Sequence, residues 1–147
     1  MDLDRLIAEE GAGWTRLSEV LASIPPGRLE EPTVTTEGWS PKDVMFHVGF
    51  WMGDCADVLE RIAAGDWGGG ADETPATIEA ANREGFRRSH AMVLDEVRDG
   101  FRRARERMLT AFRALEEVTP DAWEWFEESG PLHYAKHVED LRAWLGR

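Results

Sequence analysis

A single cysteine in 147 residues, Cys55, leaves this chain without an internal disulfide and fits a reducing interior. Long apolar runs are missing as well. No stretch approaches the roughly eighteen residues of a membrane span, so no membrane partner is expected. Basic charge is scarce: 17 Lys and Arg against 29 Asp and Glu leave a net charge of −12. That sign is wrong for a surface that tracks phosphates, and nucleic acid is not an expected partner. The arginines between Arg83 and Arg107 do not reverse this, because Glu84, Asp95, Glu96, Asp99 and Glu106 are interleaved with them as on a solvated helix face. The opening MDLDRLIAEE is acidic and amphipathic where a secretory signal is basic and then apolar, so a cytoplasmic protein is expected. Period-two alternation, internal repeats and low-complexity tracts are absent. So are a phosphate-binding glycine loop, a serine-nucleophile elbow and an H-E-x-x-H motif; Gly68-Gly69-Gly70 is a flexible connector.

What is present is helical periodicity. Leu3, Ile7, Trp14, Leu17, Leu21 and Ile24 recur at helical spacing, predicting a helix from Asp2 to Ile24 that Pro25-Pro26-Gly27 ends. A second helix opens at Ser40-Pro41-Lys42-Asp43, with serine as the N-cap, proline at the first position and an acid in the first turn. Aspartate is short for the reciprocal bond of a capping box, so only the serine cap is expected. This helix runs to Ala64, where Gly65 stops it. Thr74-Pro75 begins a shorter helix through Arg88. Ser89 then caps a helix carrying Val93, Val97, Phe101, Met108, Phe112 and Leu115. After Thr119-Pro120-Asp121 and an aromatic, acidic segment, Gly130-Pro131 introduces the last helix, ending near Trp144-Leu145. Four main helices with a long connection between the second and third predict an all-α four-helix bundle with a crossover, one domain over residues 1–147. Most of the seven tryptophans are accounted for by packing between helices.

Three of the four histidines fall on core-facing stripes. His133 and His137 are an H-x-x-x-H pair, which puts two imidazoles on one helix face about 6 Å apart along the axis. On the second helix, taking His47 as zero at about 100° per residue, Trp51 lies near +40°, Asp54 near −20° and Asp43 near −40°. On the last, with His133 as zero, Trp144 lies near +20°, His137 near +40°, Tyr134 near +100° and Asp140 near −20°. Both stripes place imidazole at the polar edge of the apolar face. His47, His133 and His137 are therefore the candidate ligands of a divalent metal with an open coordination position, an all-imidazole set compatible with zinc or nickel. Asp43, Asp54 and Asp140 are the candidate carboxylates to hold the far ring nitrogens or carry protons. Trp51, Tyr134 and Trp144 are candidate pocket walls. His90, among basic neighbours, reads as a surface residue, Cys55 as a small core residue, and Asn82 as a solvent-facing amide. Hydrogen-bonded core histidines are the bland alternative, since periodicity alone does not bring two helices to one level.

Trp39-Ser40-Pro41-Lys42-Asp43-Val44-Met45-Phe46-His47-Val48 and His133-Tyr134-Ala135-Lys136-His137-Val138-Glu139-Asp140-Leu141 together resemble the start of the second helix and the closing segment of the DinB/YfiT-like superfamily. The resemblance covers nearly the whole chain in helix order and spacing. It implies an up-down-down-up bundle, frequently dimeric, in which the residues matching His47, His133 and His137 bind nickel or zinc. Characterised relatives include thiol-dependent enzymes using mycothiol, bacillithiol or glutathione, such as maleylpyruvate isomerase, and a hydrolase-like self-resistance protein. The expected function is a metal-dependent enzyme of thiol-dependent S-transferase or hydrolase class, acting on a small molecule with a low-molecular-weight thiol as cosubstrate. The competing expectations are a non-catalytic binder of a small molecule or metal with the same fold, and a structural dimerisation module.

Overall fold

Ser40 and Asp43 cap each other at the start of the helix that organises the molecule. In the computed structural model, which describes residues 2–147, the Asp43 amide donates to Ser40 Oγ at 3.2 Å and the Ser40 amide donates to Asp43 Oδ2 at 2.8 Å. The full capping box is therefore present, although aspartate is one methylene shorter than the usual glutamate. The Ser89 hydroxyl donates to the other oxygen, Asp43 Oδ1. Ser89 thus ties the second and third helices together and does not cap the fourth. The third helix continues past it to Ala91, and Val93 occupies the next N-cap position with no side-chain cap bond.

The described residues form six α-helices in order: α1 Leu3–Ser23, α2 Pro41–Ala64, α3 Pro75–Ala91, α4 Leu94–Arg113, α5 Pro120–Ser129 and α6 Pro131–Leu145. Their limits follow local chemistry. Asp2 caps α1 through the Arg5 amide at 3.0 Å, and Pro25-Pro26 follows its end. Gly65 ends α2 at φ +75°, a left-handed conformation that glycine takes without Cβ strain. Thr74 and Thr119 cap α3 and α5, each followed by proline at the first helical position. The aromatic, acidic segment forms α5. At Gly130, where α5 turns into α6, a Cβ would lie 2.9 Å from the Phe126 carbonyl oxygen, so the sharp turn requires glycine.

α2 packs against α3, α4, α5 and α6, and α1 packs along α6. Leu6, Leu17, Val48, Met52, Leu59, Met108, Phe112, Phe126 and Leu141 form a continuous buried core. The Phe112 and Phe126 rings stack with centroids 4.0 Å apart. Glu10, Lys42 and Asp43 are buried side chains of charged type, and Glu10 lies deepest. Glu10, 1% exposed, receives Arg105 Nε at 2.8 Å, Arg105 Nη2 at 2.6 Å and the Tyr134 hydroxyl at 2.8 Å, so one carboxylate links α1, α4 and α6. The bidentate pairing and the third bond satisfy both carboxylate oxygens of this buried group. Among the described residues, no helix is long and apolar enough to cross a membrane.

Candidate metal centre

α2 and α6 bring His47, His133 and His137 to one level. His47 lies in the second turn of α2. His133 and His137 occupy the first two turns of α6, one turn apart on the same face. His47 Nε2 stands 2.9 Å from His133 Nε2, and His137 Nε2 stands 3.0 Å from the same atom. The three candidate donor atoms all lie within 4.8 Å of one another. A tetrahedral ion bound at about 2.0–2.1 Å by each of three imidazoles keeps the nitrogens roughly 3.3–3.4 Å apart. A small outward movement of the rings meets that requirement, so these three histidines could hold a metal ion.

Their electrostatics favour the ligating form. Burial pushes the pKa of each imidazole down, to about 3 for His47, about 4 for His133 and about 2 for His137. The neighbouring histidines reinforce the shift at His47 and His137, and the Lys136 ammonium reinforces it at all three. Neutral imidazole with a free lone pair is what a metal requires. The Nδ1 atoms of His133 and His137 are buried without a hydrogen-bond partner among the described residues. Asp140 Oδ2 approaches His137 Nδ1 to 3.4 Å, close enough for attraction but not aligned as a hydrogen bond.

The other residues singled out in the sequence are distributed differently. Of the three carboxylates, only Asp140 stands against a histidine ring. Asp43 is committed to Ser40 and Ser89 at the α2 cap. Asp54, almost two turns beyond His47, borders a separate groove between α2 and α4 with Phe50 and Arg107, and burial and Asp57 raise its pKa. Trp51 lines a cavity beside His47 and His133, its indole Nε1 donating to Asn82 Oδ1 at 2.8 Å. Tyr134 is fully buried with its hydroxyl on Glu10. Trp144, 2% exposed, donates to Thr33 Oγ1 at 2.9 Å and lies under Arg28. His90 is exposed. Cys55 is buried, and desolvation raises its thiol pKa to about 12.

Two cavities meet at the histidines. A cavity of about 320 Å³ is walled by Trp51, Ile78 and Trp125 with Glu73 and Glu128 at its edge. A cavity of about 480 Å³ is walled by Val34, Trp39, Val44 and Phe86 with Glu37, Glu79 and Asp140 around it. His47, Asn82 and Lys136 border both. The Trp39 and Phe86 rings stack almost parallel, 5.9 Å between centroids, and Trp39 meets the His47 ring edge-on at 5.0 Å. Asn82 is half-buried and engaged, contrary to the solvent-facing reading. The signal for it was its register: Asn82 shares a helix face with Ile78, Gly85 and Ser89, two of which are buried.

The family model described as mycothiol maleylpyruvate isomerase N-terminal domain matches residues 11–145. No curated protein and no solved structure matches the chain.

Proposed function

We propose, because the chain belongs to the mycothiol maleylpyruvate isomerase N-terminal domain family and so to the DinB/YfiT-like superfamily, that it is a metal-dependent enzyme of thiol-dependent S-transferase or hydrolase class acting on a small molecule. The observation that carries this reading is the convergence of three neutral imidazole nitrogens where two cavities join. His47, His133 and His137 hold zinc or nickel. A divalent ion there supplies Lewis acidity, lowering the pKa of a thiol or water so that a nucleophile exists at neutral pH. Asp140 orients the His137 ring through Nδ1. Trp39 and Phe86 on one side, and Trp51 and Trp125 on the other, keep bulk water from the reacting groups. Trp51 holds the Asn82 carbonyl, which leaves the Asn82 amide nitrogen to donate to a ligand in either cavity. A low-molecular-weight thiol is the cosubstrate.

The architecture that goes with this reading is a four-helix, up-down-down-up bundle of α1, α2, α4 and α6. In it α3 lies on the crossover and its Asn82 closes the site. The bundle is a single domain over residues 1–147, works as a homodimer and resides in the cytoplasm. The test is elemental mass spectrometry of the untagged protein beside the His47→Ala and His137→Ala variants. About one zinc or nickel per chain, lost in both variants, is expected for a shared site. No metal after reconstitution at neutral pH, or binding unchanged in His137→Ala, would sink the reading. Metal without thiol transfer or hydrolysis in a substrate screen would leave a non-catalytic binding protein of the same fold.

A further inference from the structure

The carboxylates of the two cavities are engaged differently. In the 480 Å³ cavity Glu79 stands 3.7 Å from Arg83, and Asp140 stands 3.4 Å from His137. In the 320 Å³ cavity Glu73 and Glu128 form no ion pair among the described residues. Lys136, the one cation lining it, is exposed on α6 and pairs with neither. A turn in which the Glu73 amide donates to the Gly70 carbonyl at 3.0 Å sets Glu73 at the cavity edge. There desolvation and the nearby Asp54 charge both raise its pKa. Asp54 Oδ2 is itself buried without a hydrogen-bond partner among the described residues. Negative charge thus gathers on this side of α2 with little to offset it.

Two tryptophans wall the same space, each held in place. The Trp51 indole is fixed by its bond to Asn82 at 2.8 Å, and Trp125 meets Trp67 edge-on at 6.3 Å. Ser129, 7% exposed, also lines the cavity, and its hydroxyl has the Cys55 thiol, a weak partner, beside it. Indole faces attract a cation through the ring quadrupole, and carboxylates supply its counter-charge. An anion here would meet two like charges, and a neutral ligand would leave them uncompensated. We infer that this cavity reads an organic ammonium group: the small molecule that reaches the histidines carries a positive charge, seated against Trp51 and Trp125 and countered by Glu73 and Glu128. The inference rests on the metal-site reading and adds to it the charge class of the ligand and the cavity that recognises it. The net charge of −12 steers such a cation toward the protein as well.

The experiment uses cobalt(II) in place of the native ion, since thiolate bound to cobalt gives a strong visible absorption. Thiocholine and its uncharged carbon analogue 3,3-dimethylbutane-1-thiol have the same shape, and neither offers the metal a second donor. Both are titrated into the wild type, Glu73→Gln, Glu128→Gln and the double variant. Differences in thiol acidity cancel when each variant is compared with the wild type for the same ligand. Each single variant is expected to weaken thiocholine roughly two- to fivefold, as fits the loss of one exposed charge contact, and the double variant more. Affinity for the carbon analogue and cobalt content should not move. Glu19→Gln, exposed on α1 and lining neither cavity, makes the same change in net charge and should alter neither ligand. An equal effect on both thiols, no effect on either, or an equal loss of thiocholine in Glu19→Gln overturns the ammonium pocket and leaves the metal site standing. Cobalt uptake with no thiolate band from either ligand overturns the thiol-dependent reading itself, and this inference with it.

Discussion

The Nε2 atoms of His47 and His133 lie 2.9 Å apart although the residues are 86 positions apart in the chain. Two imidazole nitrogens that close must either share a proton or share an ion. His133 Nε2 faces His137 Nε2 as well, so two neighbours compete for one hydrogen bond. A divalent ion at the centre would satisfy all three lone pairs at once, and each ring bound through Nε2 would carry its proton on Nδ1. The Nδ1 atoms of His133 and His137, buried without partners among the described residues, would then be donors in need of acceptors.

Asp140 is the acceptor within reach, 3.4 Å from His137 Nδ1. Asp140→Asn keeps the shape and removes the charge, and is expected to lower metal affinity about 10- to 100-fold. The urea midpoint of the metal-free protein should hardly change, because Asp140 is partly exposed. Competition with a chromophoric chelator measures the first quantity. Unchanged affinity would mean that Asp140 does not support the ring.

The metal-free protein should lose stability as the solution is acidified from neutrality. Burial, followed by the neighbouring positive charges, holds the folded-state pKa of His47 at about 3, His133 at about 4 and His137 at about 2, all below the ordinary imidazole value of 6.5. Below 6.5 the unfolded chain takes up protons that the folded chain refuses, so acid favours unfolding. The contribution is fully present above 6.5 and drains away below it. The urea midpoint of the apo protein should therefore fall between pH 7 and pH 5, above the range where ordinary carboxylates titrate. A variant with all three histidines replaced by glutamine should show a flatter profile. An equal slope in both proteins would contradict the burial of neutral imidazoles.

How far the site is readable in the sequence depends on whether its geometry is local. The Ser40-Pro41 start of α2 and the i,i+4 pair on α6 are local, and they put His47, His133 and His137 on inward faces. The wheel was less informative for Tyr134 and Trp144. It gives an angle about the helix but not which neighbour occupies that direction. Tyr134, about 100° from His133, meets Glu10 and Met52 in the core. Trp144, two to three turns along, reaches Thr33 in the loop before α2. Asn82 reads as a solvent-facing amide for the same reason. Its partner Trp51 comes from another helix, and the meeting is set by how α3 docks, through Ser89 on Asp43 and Gly85 against Phe46. The Asp43 side chain shows the converse: a local bond dismissed on chain length forms because the cap geometry is tight.

Tyr134→Phe separates a wall of the ligand site from a structural strut. Its hydroxyl donates to the buried Glu10 carboxylate at 2.8 Å, and removing that bond is expected to cost about 1.5–3 kcal/mol, as for hydrogen bonds to charged groups. Metal affinity and thiol binding should stay as in the wild type. Glu10→Ala should be worse, about 3–5 kcal/mol, because it strands Arg105 and the tyrosine together. Chemical denaturation reads both variants. A stable Tyr134→Phe with altered ligand affinity would move Tyr134 into the site.

Cys55 should behave as a core residue and not as a nucleophile. It is 0% exposed, and burial raises its thiol to about 12, so almost no thiolate exists at neutral pH. Both facts slow attack on a disulfide reagent, since the reagent must reach the sulfur and find it deprotonated. Native protein at pH 8 should release little chromophore from Ellman's reagent over the time in which denatured protein releases one equivalent. Cys55→Ala should keep the metal site and lose about 1 kcal/mol, the worth of a small buried group replaced by a slightly smaller one. Rapid modification of the native protein would show that the α2 interface around Cys55 opens, and with it the side of α2 that carries His47.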